Sequence, residues 1–324
     1  MIAAIAFTDA GEAVAGRLPD ACVTRCPPDG LAGWAAANFP IADALVFIGS
    51  AGIAVRAIAP HVASKTSDPA VIVIDEQARF VVPILSGHIG QANALARQLA
   101  DAIGATAVIT TATDGRGLFA VDDWATRQGL YIANPQRIKA VSAAVLAGQP
   151  VKLASDFPVA GPLPAGVVND ADCHDVIITC RASQAGDQAL RLVPRAVTAG
   201  VGCRKGVGVD AIEQAFAAAL GQAGYEAASV AGVCSIDLKA AEPGLLEFCR
   251  RRGLPLRTFS AEQLRGVGGE FTPSQFVESV VGVDNVCERA AVLGGGHLVA
   301  PKLAQGGVTV ALALREPQLT FEEA

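Results

Sequence analysis

Residues 44–48, 71–74, 80–85 and 107–109 are apolar runs of strand length, and each ends in a cluster of Gly, Ser, Thr, Asp or His. Short continuous apolar runs bounded by polar turns are the pattern of strands buried on both faces, as in a sheet covered by helices. Open α/β folds build their sites from the residues that follow such strands at the carboxyl edge of the sheet. The polar clusters between Ala44 and Asp114 are therefore the first candidates for chemistry.

The run after Ile48 reads strand, Gly49-Ser50-Ala51-Gly52 turn, then a helix over 53–58 that stops before Pro60. Free N–H groups at such a helix start favour an anion, which makes Gly49, Ser50, Gly52 and Arg56 candidates for binding. Lys65, Thr66 and Asp68 lie in the next loop, where Pro69 holds Asp68 out of helical conformation. Asp68 either organises that turn or serves the site. Asp75 and Glu76 read as a solvated corner, with Gln77 and Ala78 turning the chain to Phe80 as a hairpin. Ser86-Gly87-His88 and Asn93 then separate the 80–85 strand from a helix that runs to Ile103 and stops at Gly104. At a helix N-terminus the dipole disfavours imidazolium, so His88 is expected neutral and able to accept a proton near pH 7, unless it only caps the helix. Thr110, Thr111 and Asp114 are expected to end the following strand at the same edge.

The 324 residues suffice for two or three domains, and 52% hydrophobic against 17% charged residues excludes disorder. Asp, Arg, Gly or Pro interrupts every apolar run before it reaches membrane-spanning length. The first residues lack the basic region of a secretory signal, so a cytoplasmic location is expected. A net charge of -6, with no basic, aromatic-interleaved face, argues against nucleic acid as a partner. The eight cysteines form no CxxC, and Cys22 and Cys26 lack answering ligands, so small thiols in a reducing compartment are expected rather than a bound metal.

The pattern predicts two α/β domains with largely parallel or mixed sheets flanked by helices, over 1–120 and 195–324, joined by a small middle domain over 121–194. In the first, 9–30 reads as a polar, Pro-rich connection. The middle holds a helix around Trp124, another over 135–147, and strands at 151–154 and 175–180. The last begins with a strand over 195–202 and closes with helices at 273–280 and 284–293 and a hairpin, 298–301 with 308–314, that turns at Lys302. Its Gly200, Gly202 and Gly206 approach a dinucleotide fingerprint but carry one residue too many before the last glycine, and no P-loop is present, so no nucleotide cofactor is expected. Arg204 and Lys205 on that glycine-rich turn suit carboxylates. Cys203 beside them is either an activated thiol or a small buried residue. Ser235 and Lys239 end the next strand, and Glu242 opens a helix at Pro243.

Several long segments, in order, carry a resemblance: GSAGIAVRAIAP, SKTSDPAVIVIDE and LSGHIGQANALARQLA in the first part, GVGCRKG, SIDLKAAEPGLLEFC and GVDNVCERAAVL in the last. The chain resembles the CbiG family, the cobalt-precorrin-5A hydrolases of anaerobic cobalamin biosynthesis. That resemblance implies an enzyme that opens the δ-lactone of a cobalt-bound tetrapyrrole and expels acetaldehyde, giving cobalt-precorrin-5B. It implies no cofactor of the protein's own, because the cobalt arrives in the substrate. With that reaction, His88 is the expected base, the turn from Ser86 to Gly90 supplies oxyanion donors, and Asp68 completes the catalytic group. Gly87, Asn93, Thr110, Thr111, Asp114, Ser235 and Glu242 are expected to line the substrate, and Arg56, Lys65, Arg204, Lys205 and Lys239 to meet its carboxylates. A tetrapyrrole carrier without catalysis is the alternative reading, and a homodimer is left open.

Overall fold

The computed structural model describes residues 1–28, 30–64, 67–111, 117–184, 187–274, 278–279 and 282–322. It divides into two compact units, the first made of Met1–Arg127, Ile138–Pro150 and Pro164–Val167, the second of Gln128–Arg137, Val151–Leu163 and Val168–Ala324. Each contains α/β layers of the predicted class, and among the described residues no helix is long and apolar enough to cross a membrane.

The first unit is built on a six-stranded sheet in the order β2-β1-β3-β4-β5-β6. These strands are β1 (Ile2–Ala6), β2 (Ala21–Arg25), β3 (Ala44–Ile48), β4 (Ala70–Ile74), β5 (Phe80–Leu85) and β6 (Thr106–Ala107). Every residue of β3 and β4 is buried, as the uninterrupted apolar runs require of strands covered on both faces. Helices α1 (Asp9–Ala15) and α4 (Ala92–Ile103) supply Val14, Ala96 and Leu99 to the core on one face. On the other face, α2 (Leu31–Asn38) and α3 (Ala51–Ile58) supply Ala35, Ala54 and Ile58. The stripe Ala92, Ala96, Leu99, Ala100 and Ile103 is buried at helical spacing, and Gly104 ends α4 in the left-handed region at φ +70°. Helices α5 (Val121–Arg127) and α6 (Ile138–Leu146) also belong to this unit.

One expectation for this unit changes. The stretch read as a connection over 9–30 forms α1, whose Thr8 side chain accepts from Gly11 N–H at 3.1 Å, and the edge strand β2. From Cys22 to Arg25 that strand is exposed, so it has no apolar alternation to announce it. The hairpin expected at Gln77 and Ala78 is present: β5 runs antiparallel to β4, with Val71 opposite Leu85 and Ile74 opposite Val81. The Asp75 carboxylate closes the hairpin by accepting from Arg79 and Phe80 N–H at 2.8 and 2.6 Å.

The second unit carries two five-stranded sheets, in the orders β10-β8-β11-β12-β7 and β15-β14-β13-β17-β16. The first uses β7 (Tyr131–Ile132), β8 (Val151–Ser155), β10 (Val167–Asn169), β11 (Val176–Ile178) and β12 (Leu190–Val193); β9 (Val159–Ala160) pairs separately with β18 (Leu319–Thr320). Strand β12 escapes the sequence reading because Arg191 interrupts its apolar run; the guanidinium is buried against Asp187 at 2.7 Å. In the second sheet, β13 (Val197–Cys203), β14 (Val230–Ile236) and β15 (Leu256–Phe259) are parallel, and β17 (Val308–Leu314) runs antiparallel between β13 and β16 (His297–Gln305). Helices α7 (Val209–Ala223) and α8 (Pro243–Arg252) build the core on one face, while α9 (Ala261–Arg265) and α10 (Cys287–Gly294) cover the other. Lys302 lies within β16 rather than in the hairpin turn, which Gly306 and Gly307 make at φ +60° and +81°. Of the helix expected over 273–280, residues 275–277 and 280 lie outside the described residues.

Two of the glycines that mimicked a dinucleotide fingerprint, Gly200 and Gly202, have a packing role, while Gly206 serves its turn at φ +76°. A Cβ on Gly200 would stand 1.8 Å from the Cys287 carbonyl oxygen, where α10 crosses β13, and one on Gly202 would stand 2.6 Å from Thr309 Oγ1. Backbone contact between helix and sheet demands glycine here without any ligand.

Candidate active site

After Leu85 the chain turns sharply. Ser86 adopts φ +57° and Gln91 φ +60°, two non-glycine residues in the left-handed region within one turn. The turn is tied on every side. Ser86 Oγ donates to the Asp68 carbonyl at 2.9 Å, while the carbonyls of Ser86, Gly87 and His88 accept from the N–H groups of Ala92, Asn93 and Gln91 at 3.1, 3.0 and 2.8 Å. Gly90 has no room for a side chain, since its Cβ would stand 2.4 Å from Ser86 Cβ. The N–H groups of Gly87, Ile89 and Gly90 meet no acceptor among the described residues.

His88 projects from this turn with 17% of its side chain exposed, and its Nδ1 lies 3.2 Å from Oδ1 of Asp122, whose side chain is 9% exposed. Asp122 sits in the first turn of α5. Helix α4 begins only at Ala92, after Gln91, so His88 lies four residues ahead of the helix and has the Asp122 carboxylate beside its ring. Asn93, almost fully buried, donates to Thr111 Oγ1 at 3.1 Å, which joins the end of β6 to the same edge; Thr110 is exposed beside it. Asp68 is buried, and its carboxylate accepts from the N–H groups of Ala63 and Ser64 at 3.0 to 3.2 Å. The structure thus brings together Asp68, Ser86, Gly87, His88, Asn93 and Thr111 and adds Asp122, a residue the sequence reading passed over.

The turn after β3 lies elsewhere. Gly49 N–H donates to the Ile74 carbonyl at 2.8 Å, so Gly49, Ser50 and Gly52 stand at the far end of β4. Because β5 is antiparallel, His88 stands at its near end, and the five residues of β4 separate the two by about 17 Å. The expectation of one shared carboxyl edge gives way to two edges. Ser50 precedes α3 without a side-chain capping bond, and Arg56 is exposed on that helix. Lys65, Thr66 and Asp114 lie outside the described residues.

In the second unit, the turn after β13 is clamped by Glu242. This carboxylate accepts from Gly206 N–H at 2.7 Å and from Lys239 Nζ at 2.9 Å. Lys239 first, and then the Gly206 N–H, hold its carboxyl below the ordinary carboxylate range. Arg204 and Lys205 are exposed at the same turn, with Arg204 N–H bonded to the Gly307 carbonyl. Cys203 is half-buried, and burial pushes its thiol up, with Lys239 only partly opposing it. Ser235 is fully buried and donates to the Val201 carbonyl at 2.7 Å, a bond between adjacent strands. Among the described residues no group of three or more His, Cys, Asp or Glu side chains is arranged to hold a metal ion.

Helix-covered mixed sheets with polar turns at their strand ends define an α/β protein of the kind that builds small-molecule sites from strand-to-helix connections. Three family models match in sequence order: cobalamin synthesis G N-terminal over residues 33–114, cobalamin biosynthesis central region over 119–194, and cobalamin synthesis G C-terminus over 197–313. The chain belongs to the cobalamin synthesis G (CbiG) family. It is 35% identical to the cobalt-precorrin-5A hydrolase of Salmonella typhimurium, covering 97% of each chain. It is 32% identical to the protein of that name from Priestia megaterium, covering 83% of this chain and 78% of the relative. A solved structure of a cobalamin biosynthesis protein G homologue from Sulfolobus solfataricus aligns over 97% of each chain at 21% identity, with a TM-score of 0.40.

Proposed function

We propose that this protein is a cobalt-precorrin-5A hydrolase that opens the δ-lactone of its substrate and releases acetaldehyde, giving cobalt-precorrin-5B. The observation that carries the reading is 35% identity to a hydrolase of that name across 97% of both chains. The site geometry supports a mechanism for it. His88 takes a proton from water as the water oxygen bonds to the lactone carbonyl carbon, and N–H groups of the Ser86 to Gly90 turn receive the developing oxyanion. The ring C–O bond then breaks to leave a carboxyl group and an alkoxide. As the alkoxide becomes the carbonyl of acetaldehyde, the adjacent C–C bond breaks, its electron pair passes into the conjugated macrocycle, and a proton is taken up there.

Purified protein supplied with cobalt-precorrin-5A and no nucleotide is expected to release one acetaldehyde per substrate. His88→Ala is expected to lose most of that rate while keeping its circular dichroism spectrum. Tight corrinoid binding without acetaldehyde, unaffected by His88→Ala, would replace the hydrolase with a carrier.

A further inference from the structure

We propose that Asp122 is the positioning residue for His88, holding the imidazole as the Nδ1–H tautomer so that Nε2 is the atom that accepts the proton from water. The inference deepens the hydrolase reading and rests on it for the identity of the attacked group.

Three observations carry it. Asp122 Oδ1 lies 3.2 Å from Nδ1, at hydrogen-bonding distance, and both side chains are largely withdrawn from solvent. In such surroundings a carboxylate facing a ring nitrogen selects the tautomer that carries a proton there, because the alternative sets a lone pair against an anion. The neighbouring residue gives the contrast. Asp123 follows Asp122 on α5 but pairs with Arg127 at 3.1 Å, with 25% of its side chain exposed, the usual arrangement for an acidic residue in a first helical turn. Asp122 instead is buried and directed at the imidazole. Finally, His88 is carried by the tied, left-handed turn, so the backbone of the base is held while the carboxylate fixes its ring. Two segments 34 positions apart thus form one unit. Hydrolysis through this pair balances: Nε2 receives the water proton, Asp122 stabilises the imidazolium, and Nε2 gives up its proton once the ring has opened, the macrocycle taking up one proton as the alkoxide becomes the acetaldehyde carbonyl and the C–C bond breaks.

The test pairs a spectroscopic reading with kinetics. Imidazole nitrogen shifts of 15N-labelled protein, recorded with His88 neutral, are expected to show Nδ1–H in the wild type. Asp122→Asn keeps the shape but presents an amide donor to Nδ1, so it is expected to convert His88 to Nε2–H and to lower kcat at least about 100-fold with KM little changed. Asp122→Glu, which restores the acceptor, is expected to recover part of the rate and the wild-type tautomer. An Nε2–H ring in the wild type, or an Asp122→Asn enzyme within about threefold of wild-type kcat, overturns the proposal. The tautomer measurement needs no substrate, so failure of the wild type to release acetaldehyde would count against the hydrolase reading and leave the nitrogen shifts to decide the role of Asp122.

Discussion

Gln91 spends free energy on geometry: it occupies φ +60° with no side-chain bond to the helix it precedes. Left-handed backbone costs a non-glycine residue about 1 kcal/mol or more, partly offset in glycine by the greater freedom of the unfolded chain. Gln91→Gly is therefore expected to raise stability by about 0.5 kcal/mol, read from the urea midpoint, and an unchanged or lower midpoint would show the strain to be relieved by other contacts. Glu242 sets a pH-dependent contribution. Its folded-state value lies below the ordinary 4.5, so the folded protein binds fewer protons there than the unfolded chain. The stabilisation is complete above the ordinary range and is lost as pH falls through the lowered folded-state value. Glu242→Gln is expected to remove about 2 kcal/mol at pH 7 and to flatten the decline of stability below pH 4.5, checked by urea unfolding across that window. Of the residues at the candidate site, His88 was legible because a histidine in a Ser/Gly-rich turn has few structural duties. Asp122 was not, because nothing in local spacing tells which of two adjacent aspartates faces inward.

Packing between elements explains why a glycine pattern misleads. At Gly200 the α10 backbone approaches so closely that a methyl group would overlap the Cys287 carbonyl oxygen. Gly200→Ala must push the helix off the sheet, and a loss of about 3 kcal/mol or more is expected in denaturant unfolding; a loss below about 0.5 kcal/mol would mean that the contact is loose. The same scale separates legible from illegible strands. β3 and β4 announced themselves because both faces are buried, whereas β2 is an exposed edge and β12 carries Arg191 within its apolar run. The hairpin from β4 to β5 was legible from its turn residues, but its consequence for the site was not. Reversing one strand moves its carboxyl end, and with it His88, to the opposite edge from Gly49.

Across the whole chain, the cysteines give a test of where the cores close. Cys22 and Cys173 are exposed and Cys26 and Cys203 are half-buried, while burial pushes Cys180 up to about 12 and Cys234, Cys249 and Cys287 up to about 11. A chromogenic disulfide at pH 7.5 is expected to titrate Cys22 and Cys173 rapidly and Cys26 and Cys203 slowly, with all eight thiols reacting only after unfolding. Rapid loss of any of the four buried thiols would show that the surrounding core opens. Composition, apolar runs and turn residues determined by themselves that the chain makes helix-covered sheets and which turns carry polar groups, because burial and backbone geometry act over a few neighbouring residues. Which strand runs backwards, which aspartate meets the histidine and which glycines serve packing were decided only in the tertiary structure, since those depend on contacts between residues far apart in the chain.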